Sequence, residues 1–188
     1  MKKISLSVIL FIITTATFAQ KYIPVIKKGS VLNFSVNLKN MGQNIDLDVT
    51  ILGLDDPIKM HWNVPGYGGG EFEMQAKALQ SAKRTVLSPP TPGAITKLKE
   101  DETLMVLSKS LYSDATTNKA FELNSIKFTV IPDTAVYKIN NKVTDIFHAV
   151  SADKKSELWV LNSPDYPIIC QAKNITRGID YYLASIKE

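Results

Sequence analysis

The sequence predicts a mainly β protein: an antiparallel meander forming a strongly curved sheet or unclosed half-barrel around one α-helix. Three observations point there. Residues 32–78 hold four alternating apolar–polar runs joined by short turns, the pattern of antiparallel strands wet on one face. Ser156–Ala172 reads as a strand, a turn framed by Pro164 and Pro167, and a second strand. Its Leu158–Leu161 segment is apolar at every position, which requires cover on both faces and a place near the middle of the sheet. Helical spacing is clear only over residues 101–115.

The chain starts with Lys2 and Lys3, then a mostly apolar run from Ile4 to Ile13, then Thr17 and Ala19 at the −3 and −1 positions of a cut before Gln20. That is the arrangement of a secretory leader. The run is shorter than the ~20 apolar residues of a membrane span. No cysteine follows it to take a lipid. The expectation is a signal peptide at 1–19 and a single β-rich domain at 20–188, exported to the periplasm or secreted. No transmembrane segment is expected in the mature chain.

Tyr22–Lys28 reads as an approach segment or a short edge strand, because Pro24 argues against a central strand. Leu32, Phe34, Val36 and Leu38 alternate with polar residues, and Lys39–Gly42 turns the chain into a second run through Ile45, Leu47, Val49 and Ile51. Asp55–Pro57 leads into Ile58, Met60, Trp62 and Val64. The glycine-rich stretch Pro65–Gly70 reads as a flexible turn before Phe72, Met74, Ala76 and Ala78. Ser88–Gly93 ends regular structure through three prolines.

Glu100, Asp101 and Glu102 supply acid at a helix start, with Leu104, Leu107, Leu111 and Ala115 following at helical spacing. Ala120–Ile131 returns to strand character around a tight turn at Asn124-Ser125. Asn140-Asn141 suits the positive φ of a type I′ hairpin. Val143–Val150 precedes the Trp159 strand, and Tyr181, Leu183 and Ile186 close the sheet at the C-terminus.

Net charge is +4 for the chain, and the leader's two lysines leave +2 on the mature protein. The only arginines are Arg84 and Arg177, and the lysines are scattered. Phosphate recognition favours clustered arginine, so nucleic-acid binding is not expected. Cys170 is the only cysteine, which excludes an intramolecular disulfide and reads as a small buried hydrophobe.

No motif specifies a reaction. His61 and His148 are the only histidines, and no spacing around them supports a metal site. Glu71 and Glu73 share one strand face, whereas glycoside hydrolysis needs carboxyls facing each other across a cleft. Ser151-Ala152-Asp153-Lys154 matches an S-x-x-K pattern but lies in a turn rather than opening a helix. The expectation is therefore a protein that is not an enzyme and has no cofactor or metal. The remaining lead is aromatic. Trp62, Tyr67, Phe72, Phe147 and Trp159 are the candidate ligand-binding residues, lining an apolar groove that a single short helix leaves uncovered.

The end of the leader, Phe18-Ala19-Gln20, resembles those of secreted Bacteroidetes proteins. ELWVLN followed by YPIICQ and a last strand at Tyr181–Ile186 resembles a group of exported domains of unknown function, related to the unclosed half-barrel of periplasmic lipoprotein-carrier proteins. The resemblance implies a sheet wrapped around a helix, with an apolar ligand such as an acyl chain in its concavity. Two expectations follow: an extracytoplasmic binding protein for an apolar small molecule or lipid, or a cell-envelope module that meets another protein through its sheet face or edge.

Overall fold

The computed structural model describes residues 21–86, 91–132, 136–176 and 178–188, so the leader expected at 1–19 and part of the proline-rich crossing at 88–93 lie outside the described residues. The meander forms as its alternation requires: β1 (Val31–Leu38), β2 (Gln43–Gly53), β3 (Ile58–Val64) and β4 (Gly68–Met74). Leu32, Phe34 and Val36 of β1 are buried, and the residues between them are only half-buried. Gly68–Gly70 opens β4, so the glycine-rich turn is shorter than its sequence suggests.

The alternation that runs on through Ala76 and Ala78 does not continue as strand. It becomes α1 (Ala76–Ser81), with Ala78 and Leu79 buried. Ala, Lys, Leu and Gln are good helix formers. The Asp56 carboxylate, brought over from the β2–β3 turn, accepts the Ala76 N–H at 3.0 Å and satisfies one of the donors a helix start leaves open.

Next come β5 (Arg84–Val86), β6 (Ile95–Lys97), β7 (Glu102–Leu104) and α2 (Lys109–Thr117). The helix expected over 101–115 is therefore shorter and later, and the described residues form two helices rather than one. Glu102 does not start a helix. It is buried in β7, which pairs in parallel with β5, and its carboxylate lies 3.3 Å from Arg84. Every residue from Glu102 to Ser108 is buried, and α2 is capped by Ser108, whose Oγ accepts the Leu111 N–H. Leu111 and Ala115 are its buried face, as their spacing requires.

The rest is strand: β8 (Ala120–Leu123), β9 (Ile126–Ile131), β10 (Lys138–Ile139), β11 (Lys142–Val143), β12 (Ile146–Ser151), β13 (Glu157–Leu161), β14 (Ile169–Thr176) and β15 (Ile179–Lys187). Asn124-Ser125 and Asn140-Asn141 all have positive φ, between 52° and 62°, and make the two tight turns.

Among the described residues, eleven strands form one open sheet in the order β6-β4-β3-β2-β1-β15-β14-β13-β12-β9-β8. It is mixed rather than wholly antiparallel, because β6 joins β4 in parallel. The C-terminal strand does not close an edge. It lies sixth of the eleven, between β1 and β14, and welds the meander to the second half of the chain. The Trp159 strand is interior but eighth in order, and its Leu158–Leu161 segment is buried throughout, as apolarity on both faces demands.

The chain just after β7 crosses the apolar face of the sheet. Val106 forms an antiparallel bridge with Ile168, the Ile169 N–H donates to the Met105 carbonyl at 2.9 Å, and the Leu107 N–H donates to the Pro167 carbonyl at 3.0 Å. This crossing covers part of the meander's inner face, and Tyr166 reaches Met60 beside it. The remainder of that face is the candidate site.

Candidate functional site

Beyond the crossing, the inner faces of β1–β4 and the start of β15 wall a groove of about 480 Å³. Its origin is a mismatch of strand lengths. β2 has 11 residues and β3 has 7, and their pairing ends at Asp48 opposite Asn63. The next position facing Asp46 belongs to Pro65, which has no N–H and turns the chain away. The β1–β2 hairpin therefore runs on past β3, and its apolar side chains Val36, Leu38, Ile45 and Leu47 form one wall. Val64, Tyr67 and the inward Trp62 and Phe72 form the opposite wall, and Leu104, Met105 and Ile179 close the ends.

None of the lining residues carries a charge, and Gln43 supplies the only amide side chain. Two exposed apolar residues stand at the mouth: Met41 is 70% exposed and Tyr67 57%. The Tyr67 ring lies 6.3 Å from that of Trp62, tilted by 38°. Trp62 itself is almost fully buried, and its indole N–H has no hydrogen-bond partner among the described residues. The ring sits against Gly70. A Cβ there would come within 2.9 Å of Trp62 Nε1 and 2.7 Å of the Ala94 carbonyl oxygen.

The structure thus brings together three of the five aromatics singled out in the sequence: Trp62, Tyr67 and Phe72. Phe147 and Trp159 stand elsewhere. Phe147 packs against Tyr112 of α2 with ring centres 6.1 Å apart. Trp159 faces the other side of the sheet, stacked on His148 at 4.1 Å with the Lys173 ammonium 4.7 Å from its ring. Sequence reading missed the aliphatic walls, although the alternation of β1 and β2 already turned Val36, Leu38, Ile45 and Leu47 inward. It places them on the apolar face of the strands and names only aromatics as ligand-binding residues. The signal that they are uncovered is Pro65, which stops β3 short.

The polar groups do not converge on this groove. Glu157 lies 3.0 Å from His148 and 3.5 Å from Lys173 on the outer face. His61 is half-buried on the outer face of β3, and Glu73 pairs with Lys59 and Lys97. The Ser151 hydroxyl donates to Asp153 and accepts from the Ser156 N–H, so it builds a turn. Cys170 is fully buried, and burial pushes its thiol far above the ordinary range, opposite to what a nucleophilic thiolate needs. Among the described residues no three His, Cys, Asp or Glu side chains gather as metal ligands would. Compared with known proteins, the chain matches no family model, no curated protein and no solved structure.

Proposed function

We propose that this is an exported, non-enzymatic binding protein that holds an apolar or lipid-like ligand in the groove between the β1–β2 hairpin and the β3–β4 turn. The observation that carries this reading is the charge-free lining of a groove of about 480 Å³. Ligand pockets run from about 300 to 1,000 Å³ and are mostly apolar, with a few polar groups that orient the ligand. Gln43 and the rim hydroxyl of Tyr67 are the polar groups available here. Apolar surface left open in this way is costly in water and is offset when a ligand covers it. The resemblance to exported half-barrel domains implies the same use of the sheet. Among the described residues no helix is long and apolar enough to cross a membrane.

The test combines native mass spectrometry of the mature protein, purified gently from its own compartment, with titration of the fluorescent apolar probe N-phenyl-1-naphthylamine. A co-purifying apolar mass, and probe binding weakened at least about tenfold by Leu47→Asp, are expected, since a carboxylate in the wall must be desolvated unpaired. A clean apo mass together with no probe binding would overturn the proposal. A second reading, a cell-envelope module that meets another protein, is favoured by one observation: the backbone edge of β2 beside the groove mouth.

A further inference from the structure

That edge can be followed atom by atom. The Ile51 N–H donates to the Ser30 carbonyl at 2.9 Å, on the β1 side of β2. Backbone groups alternate sides along a strand, and β1 and β2 pair without a shift from Leu38↔Gln43 to Val31↔Thr50. Leu47, Ile45 and Gln43 therefore bond to β1, while Asp48, Asp46 and Asn44 present their N–H and C=O groups toward β3. Asp48 meets Asn63 there. Asp46 faces Pro65, which cannot donate, and the Tyr67 N–H opposite Asn44 is turned inward to the Val64 carbonyl at 3.0 Å. Asp46 and Asn44 thus have no backbone partner on that side among the described residues, and both are exposed.

The open edge and the apolar groove adjoin. Gln43, Ile45 and Leu47 line the groove and alternate with the two edge residues. An acyl chain would use only the groove. An extended polypeptide laid in the line that β3 vacates would use both: its backbone would pair with Asp46 and Asn44, and every second side chain would point into the groove. This is strand addition, in which main-chain bonds give affinity and pockets for alternate side chains give selectivity. We infer that the groove's ligand is an extended peptide segment with apolar residues at alternate positions, bound as a short added strand on the free edge of β2. The inference rests on the groove reading proposed above and names the chemistry of its ligand.

Fluorescence polarisation tests it on the mature protein. The probes are a fluorescein-labelled nonapeptide alternating valine with serine and lysine, and two copies of it N-methylated at odd or at even positions. N-phenyl-1-naphthylamine serves as the peptide-free apolar probe. The parent peptide is expected to bind in competition with the naphthylamine. One of the two N-methylated copies should lose about tenfold or more, as two lost main-chain bonds predict. Asp46→Pro should weaken the peptide similarly while leaving the naphthylamine unaffected, because position 46 gives no hydrogen bond to β1. Naphthylamine binding without peptide binding, or equal binding of all three peptides, would overturn strand addition and leave the groove reading standing. Binding of neither probe class would overturn both.

Discussion

Gly70 and Trp62 face each other across the β3–β4 ladder, and the indole can lie flat against the strand only because position 70 has no side chain. Gly70→Ala would press a methyl group onto the indole on one side and the Ala94 carbonyl on the other, at distances that real Cβ atoms do not adopt. Either the β4–β6 edge moves away or Trp62 tilts into the groove. The expected cost is ~1–3 kcal/mol, as for other overpacked cores, read from the midpoint of urea unfolding followed by tryptophan fluorescence. Naphthylamine affinity should fall as well. An unchanged midpoint and unchanged affinity would mean that Trp62 does not depend on this contact. At this scale the sequence was half legible. Trp62 stood out by type, but the reason for the neighbouring glycines did not, because three consecutive glycines read as a turn whether or not a ring lies over one of them.

At the scale of the element, the alternating strands were readable and the helices were not. The period-two burial of β1–β4 follows from side-chain pattern alone, and paired asparagines marked a hairpin that needs two positive φ angles. The helix was misplaced because Leu104, Leu107 and Leu111 share helical spacing although only Leu111 lies on α2. Leu104 and Leu107 are buried because the crossing strand is enclosed on all sides, so their spacing carries no period. The informative residue was Ser108, a capping side chain placed three residues before Leu111, whereas the acids at 100–102 are spent on Arg84, Lys77 and Lys99. Ser108→Ala should cost about 1 kcal/mol, more than the same change at the exposed helix residue Ser113. Thermal unfolding of the two variants, side by side, checks the cap. Equal melting temperatures would remove Ser108 from that role.

At the scale of the whole molecule, the sequence disclosed the class but not the closure of its two halves. β15 carries an ordinary alternation, and nothing local says that it pairs with β1, more than 140 positions away, rather than ending an edge. That pairing places Tyr181 and Cys170 at the centre of the protein, both fully buried. Burial pushes up the Cys170 thiol and the hydroxyls of Tyr137, Tyr166 and Tyr181. In the unfolded chain these groups release protons near their ordinary values, about 8.5 for cysteine and about 10 for tyrosine. In the folded chain they hold them, so the folded state binds more protons at high pH and stability falls as pH rises. The stabilisation is complete below about pH 8 and declines by up to about 1.4 kcal/mol per pH unit once the unfolded-state thiol has titrated, and more steeply above about pH 10. Urea midpoints measured from pH 7 to 11 should decline, gently from about pH 8 and more steeply above about pH 10. Cys170→Ala should abolish the first part of the decline while leaving the tyrosine part in place, and a decline from pH 8 to 10 that survives the substitution would remove the buried thiol as its cause.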